Sequence, residues 1–467
     1  MIRTLSLSGK PDLRLLSIFV AGIVVRTLYA ILAPLSPDWR NWYLIAIEIY
    51  QNPGIIIGVY TVPPYILAAF YVLWLVLPVP HLNPATIVTF PWTGGAPPYF
   101  QPNPATVVFV LIMKLPALIS DTVTAFFVYL ILRESGVSRN RTHFAIAAWL
   151  LNPLTMVMSN YNGVDAIGVM LVTAAAYWVG RKRYGAASLS LIIGGLMRLL
   201  PFIALPFLLV KTVRARDWKG VLSTSLPIVV VFAGIYTYLA LFRPEALGLF
   251  QGRPGLYVPE VLDIFGSAMQ LRGSEYAEDV ITLMTFSYVI LLAIVTQRSE
   301  VKSQPSVLVL APFLAYTAFA WSWPPLMEYA VPLILIQLAR GKGYRTLIVI
   351  LSITGLLWSL VQEGTYVCLD GASFFFIPFY DKTLQTLNMQ CLNAYALILS
   401  SGLSVQIRGA FSALLVLLIA RMIYGHVHAD SAIDSTKVKN KRGVLLFERV
   451  QASAVSRLRE TIRGRLR

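Results

Sequence analysis

Apolar residues run in long blocks through this chain, and polar ones are gathered between the blocks. Clear blocks cover residues 15–35 and 221–242, and similar runs recur from end to end. Each approaches the roughly 20 residues a helix needs to cross about 30 Å of hydrocarbon. Backbone amides and carbonyls find no water in lipid, so such blocks are read as helices. Three polar stretches are long. The first, 36–104, begins Ser36-Pro37-Asp38-Trp39-Arg40 and ends in a Pro/Gly/aromatic loop around Trp92, Gly94 and Pro97. Inside it, 66–77 is apolar but short and follows Pro63 and Pro64, which suits an outer helix lying along the membrane surface. The expected fold is all-α: a polytopic transmembrane bundle of about twelve crossings, with long outer loops carrying short surface helices. No repeat of 20–50 residues is visible. The expected organisation is one membrane domain over 1–424, with 36–104 as its working loop, and a basic tail over 425–467.

Composition narrows the class. Of 467 residues, 57% are hydrophobic and only 13% charged, against about one quarter charged in soluble proteins. A net charge of +16 would suggest nucleic acid in a soluble chain. Here the basic residues sit in short stretches between apolar blocks: Arg133, Arg139 and Arg141; Arg181–Arg183; Lys211, Arg214, Arg216 and Lys219; Arg298 and Lys302; Arg340, Lys342 and Arg345. They alternate with stretches poorer in Lys and Arg, the positive-inside pattern, which puts both termini in the cytoplasm. No basic run is interleaved with exposed stacking aromatics, so no nucleic-acid partner is expected. The first apolar run lacks a small-residue cleavage site and reads as a retained anchor. The amphipathic, basic segment 444–467 is expected to lie on anionic lipid headgroups. Cys368 and Cys391 share the outer segment 363–406, either as a disulfide or as two unlinked thiols. His426-Val427-His428 is too weak a signal for a metal site. Asn140-Arg141-Thr142 is a sequon in letters only, because its loop is basic and inner.

Some ionisable residues interrupt apolar runs, where charge is costly without a partner or a cavity. Lys114 and Asp121 stand seven residues apart, two helical turns, and so share a face. They either line a cavity or neutralise other buried charges. Arg26 stands midway along the first crossing. Arg198 stands within the apolar stretch 189–210, where its anion is either a ligand phosphate or one of Asp121 and Asp165. Asp38 is either a helix N-cap or a reactive acid. Glu328 follows Trp321-Ser322-Trp323-Pro324-Pro325, a stretch that reads as an interfacial aromatic belt or as part of a cavity.

The order of these elements carries a resemblance. The run 114–121, the segment Leu151-Asn152-Pro153-Leu154-Thr155-Met156, the turn Ser159-Asn160-Tyr161-Asn162-Gly163-Val164-Asp165 and the stretch Gly195-Leu196-Met197-Arg198-Leu199-Leu200-Pro201 together resemble the GT-C superfamily of membrane glycosyltransferases. They look most like the family that adds the first mannose in GPI-anchor assembly. The Asn160–Gly163 turn and the Tyr60–Pro64 segment look equally like the dolichyl-phosphate-glucose glucosyltransferases. The similarity spans roughly residues 15–210. It implies an inverting transfer of a hexose, mannose first and glucose second, from a polyprenyl-phosphate carrier to a lipid-linked acceptor at the outer face. In its terms Asp38 is the general base, with Asp121 as a second acid. Arg198, Arg26 and Lys114 meet the donor phosphate. Arg40, Tyr60, Asn162, Asp165 and Glu328 contact substrate. The chain departs from the mannosyltransferases in having Asp-Trp-Arg where they have Asp-x-Asp, so neither an obligatory metal nor any other cofactor is expected. Rival readings are a glycan ligase or polymerase using the same carrier, and a transporter of lipid-linked glycans. A transporter is expected to show two matching halves with broken helices, and no such symmetry is visible.

Overall fold

The structure is a computed structural model that describes residues 12–32, 46–52, 63–78, 104–161, 164–198, 200–242, 277–296, 305–319, 327–341, 344–362 and parts of 390–421. Asp38, Arg40, Tyr60, Asn162, Cys368, Cys391, the His426–His428 pair and the whole tail 425–467 lie outside the described residues. The chain divides into two compact units, Met1–Leu415 and Val416–Arg467. The polar centre and the helices that build it belong to the first. Every described element is helical, and no strand occurs among the described residues. The all-α expectation therefore holds. Among the described residues, three helices are long and apolar enough to cross a membrane, over Leu13–Ala30, Val108–Glu134 and Trp218–Thr237.

Helix α1 (Leu13–Leu32) shows how such a sequence is arranged. Leu16, Val20, Val24 and Leu28, four residues apart, form an exposed apolar stripe. Gly22, Arg26 and Ala30, at the same spacing, are buried. The apolar face looks out and the charged residue looks in, the reverse of a helix on a water-soluble core. Helix α2 (Pro63–Val76) buries Leu67, Ala68, Tyr71 and Trp74 against Phe109, Val110 and Met113 of the next helix. Trp74 meets Phe109 edge-on at 4.9 Å.

Helix α3 (Pro104–Glu134) has 31 residues, about 46 Å at 1.5 Å per residue. It is the axis of the unit, packing against α1, α2 and the helices that follow it. These are α4 (Arg139–Leu150), α5 (Pro153–Tyr161) and α6 (Asp165–Gly180), while α7 (Tyr184–Met197) packs on α6 instead. Beyond α7 come a short 3-10 turn, Leu200–Ala204, then α8 (Leu205–Arg214) and α9 (Trp218–Phe242). The later helices are α10 (Ala277–Thr296), α11 (Pro305–Phe319), α12 (Val331–Arg340) and α13 (Tyr344–Gln362).

Two expectations need correction. The apolar stretch 189–210 is not one continuous helix. It breaks at Arg198, whose backbone is extended at φ −155° and ψ 134°. Pro201 and Pro206 follow, and prolines just past a helix end remove the amides that would continue it. Lys211, which the charge pattern assigns to a basic inner loop, is in fact buried within α8, at 2% exposure. Arg214, Arg216 and Lys219 are exposed as expected, and Arg214 donates to the Ala293 carbonyl and to Thr296 Oγ1, both at 2.9 Å.

Arg298, Lys302 and Lys342 lie outside the described residues, and the basic stretches around Arg133–Arg141, Arg181 and Arg340 meet at one end of the unit. Arg181 pairs with Glu134, Arg141 donates to the Arg340 and Gly341 carbonyls at 3.3 Å, and Arg340 donates to Ser135. At this end Asp12 caps α1 through the Leu15 amide (3.2 Å) and receives Arg139 Nε at 2.6 Å. The Arg139 guanidinium holds the Asp12 carboxyl well below the usual carboxylate range, with the Leu15 amide and His143 adding to it. An acid depressed by folding stabilises the fold above its unfolded value near 3.9, and that contribution is lost as the pH falls further. Melting of the native protein is therefore expected to fall below about pH 4 more steeply than that of Asp12→Asn. Because Arg139 is exposed, high salt should shrink the difference.

Candidate functional site

The site begins with a helix break. Proline has no amide proton, so Pro153 leaves the carbonyl four residues earlier, that of Trp149, without its helical partner. The next carbonyl, Leu150, would normally receive the Leu154 amide, but that amide bonds Asn152 Oδ1 at 3.0 Å instead. The Leu151-Asn152-Pro153-Leu154 segment thus exposes two acceptors in the interior, and Arg26 fills both. Its Nε donates to the Leu150 carbonyl at 3.0 Å. Its Nη2 donates to the Trp149 carbonyl at 2.6 Å and to Thr155 Oγ1 at 3.0 Å. Its Nη1 pairs with Asp121 Oδ2. The Trp149 ring lies 5.6 Å from the guanidinium. The close approach depends on Gly22, where a Cβ would stand 2.7 Å from Leu150 Cβ.

Asp121 is 1% exposed. Its Oδ2 also receives the Ser159 hydroxyl, and its own carbonyl accepts Trp149 Nε1 at 2.9 Å. Its Oδ1 has no hydrogen-bond partner among the described residues. Beside this pair lies a small, open-sided cavity lined by Arg26, Tyr29, Lys114, Asp121, Met156 and Ser159 among others. Lys114 and Asp121 therefore share a face and a cavity, as their two-turn spacing predicts. All three guanidinium nitrogens of Arg26 donate to protein acceptors, so its principal work is to hold Asp121 and the end of α4 in place.

A second polar cluster lies where α6 starts. Asp165 opens the helix, a position where negative charge is favoured. Arg198 Nη1 donates to Asp165 Oδ2 at 2.8 Å, so of the anions weighed from the sequence it is Asp165 that the structure places beside Arg198. Tyr329 Oη donates to Asp165 Oδ1 at 3.2 Å. The Tyr329 ring stacks on Phe313 at 6.0 Å, and its hydroxyl occupies the space above Gly168, where a Cβ would come within 2.3 Å. Tyr329 and Glu328 are both fully buried. Tyr329 is thus no part of an interfacial belt but faces inward to Asp165, and Glu328 is enclosed as well, though it is not among the residues that line the cavity beside Asp121. Arg198→Leu is expected to lower stability by about 1–3 kcal/mol by stranding a buried acceptor. Arg198→Lys should recover part of it, since the charge remains and the planar fork is lost. Melting in detergent checks both, and unchanged melting in Arg198→Leu would mean the pair contributes nothing to the fold.

Sequence reasoning missed Ser159, Thr155, Trp149 and Tyr329 as parts of this polar centre. Ser159 was within reach, being in the same motif stretch as Asp165. The freed carbonyls were signalled by Pro153. Among the described residues no group of three or more His, Cys, Asp or Glu side chains is arranged to hold a metal ion. No family model matches the chain, and no curated protein matches it.

Proposed function

We propose that the chain is a membrane-embedded glycosyltransferase of the GT-C type, moving a hexose from a polyprenyl-phosphate carrier to a lipid-linked acceptor. What supports the reading is one observation. The cavity between α1, α3 and α5 joins two cations, Arg26 and Lys114, to the carboxylate of Asp121 and the hydroxyl of Ser159, and each of its polar walls comes from an element of the ordered motif pattern or is held by one. A charged hollow inside apolar helices suits a substrate that is itself an apolar tail with a phosphate and a sugar at its end.

In the proposed reaction an acceptor hydroxyl oxygen attacks the anomeric carbon from the face opposite the phosphate. Asp38 takes the hydroxyl proton as the new C–O bond forms. The bond from the anomeric carbon to the phosphate oxygen breaks, and polyprenyl phosphate leaves with the electron pair. The negative charge growing on it needs fixed cations. Lys114, in the cavity wall, is proposed for that contact, with Arg198 as a further cation. The same reading has about twelve crossings, both termini in the cytoplasm and the reaction on the outer face.

The test is radiolabel transfer from a panel of purified polyprenyl-phosphate sugars into lipid extract from the source membranes. Label should pass into a lipid-soluble product from a mannosyl donor first and a glucosyl donor next, and should continue to do so in excess chelator. No transfer from any hexosyl donor by folded, monodisperse protein would overturn the reading. Loss in chelator with rescue by Mg²⁺ would show that the Asp-Trp-Arg segment had been misread.

A further inference from the structure

The most conspicuous buried group outside the Arg26–Asp121 pair is Glu328. It is 0% exposed, and neither of its carboxylate oxygens has a hydrogen-bond partner among the described residues. Its electrostatic neighbours are Asp121 on α3, Arg26 on α1 and Asp165 on α6. Tyr329, next to it in the chain, is turned to Asp165. Both guanidiniums of the neighbourhood are engaged by other acids, Arg26 by Asp121 and Arg198 by Asp165.

An ionised carboxylate in such a position is strongly disfavoured. Burying a charge without a paired cation or hydrogen-bond donors costs far more than burying the neutral acid. Here an ionised Glu328 would also add a third negative charge beside Asp121 and Asp165. Asp121 has the complementary peculiarity, since one of its oxygens is satisfied twice and the other by no group among the described residues.

We propose that Glu328 is a proton-holding site, a neutral carboxylic acid lodged between two ion pairs and linked electrostatically to the cavity acid Asp121. The two acids are then coupled through their charges: a proton lost from one raises the proton affinity of the other. Asp121 lines the cavity and is the member of the pair through which that coupling reaches a ligand. This inference does not rest on glycosyl transfer. It requires only the enclosed acid and its neighbours.

Two measurements on purified full-length protein in detergent test it. Infrared spectra of the native protein near neutral pH should contain the carbonyl band of a protonated carboxylic acid, moved by exchange into D₂O. That band should vanish in Glu328→Gln and shift in Glu328→Asp. The second measurement is melting as a function of pH. A folded state that keeps a proton which the unfolded chain has released loses stability as pH rises, by about tenfold in the unfolding equilibrium for each unit above about 4.3. Glu328→Gln has no such term, so its melting temperature should rise relative to the native protein between about pH 5 and 8. Absence of the band in the native protein would overturn the proposal, as would its persistence in Glu328→Gln or a melting difference that stays flat with pH. Should Glu328→Gln fail to fold, the native spectrum and the band shift in Glu328→Asp decide the matter.

Discussion

Arg26→Leu is expected to destabilise the folded protein by about 3–5 kcal/mol, the cost of removing one partner from a buried ion pair. The expectation rests on what the guanidinium holds. Arg26 and Asp121 are 3% and 1% exposed, so the stranded carboxylate cannot turn to water. The Leu150 carbonyl loses its donor at the same time, because the Asn152 side chain has already diverted its helical partner, and the Trp149 carbonyl keeps only the Thr155 hydroxyl. Arg26→Lys should fall between, since one ammonium cannot reach four acceptors spread across three helices. The double substitution Arg26→Leu with Asp121→Leu should recover part of the loss, because replacing both members of a buried pair by apolar groups is tolerated far better than replacing one. The carbonyls keep that recovery incomplete. Melting of the three variants in one detergent checks the order. An Arg26→Leu protein that melts with the native one would mean that the pair contributes nothing to the fold, and the cavity wall would then have some other support.

The same contacts show what hydropathy conveys and where it stops. The blocks at 15–35 and 221–242 fall on Leu13–Leu32 and Trp218–Phe242, because helix extent in a lipid-like surround follows apolar length directly. Lys114 and Asp121 line one cavity because their spacing is local geometry on a single helix. Block length fails at 189–210, where hydropathy cannot register that Pro201 and Pro206 interrupt the amide ladder. Charge pattern places Arg133, Arg139, Arg181 and Arg340 at one end of the unit correctly, yet misplaces Lys211, since a basic residue counts the same in letters whether its side chain reaches water or is buried. The pairings of the polar centre were not legible. Arg26 finds carbonyls more than 120 residues away, and Tyr329 finds Asp165 across 164. Nothing local in either sequence stretch specifies its partner, although Pro153 announces that some donor must arrive.

Asp38→Asn is expected to lower turnover by about 10²–10⁴, the range for a lost general base, while leaving the folded protein and its donor binding near normal. The substitution keeps the shape of the side chain and removes its capacity to accept a proton. In the proposed reaction that proton has to leave the acceptor hydroxyl as its oxygen attacks the anomeric carbon, and an amide cannot take it. Donor binding depends on the carrier tail and on the cations proposed for its phosphate, so it should be spared. This separates Asp38 from Asp121. Asp121→Asn disturbs a carboxylate already committed to Arg26 and Ser159, and so it should lower melting as well as rate. Single-turnover transfer, normalised to folded protein in the same preparation, distinguishes the two acids. Near-native turnover in Asp38→Asn would remove that residue from the reaction. If the rate loss then appeared in Asp121→Asn without a fall in melting, the base would have to be the acid in the cavity wall rather than Asp38.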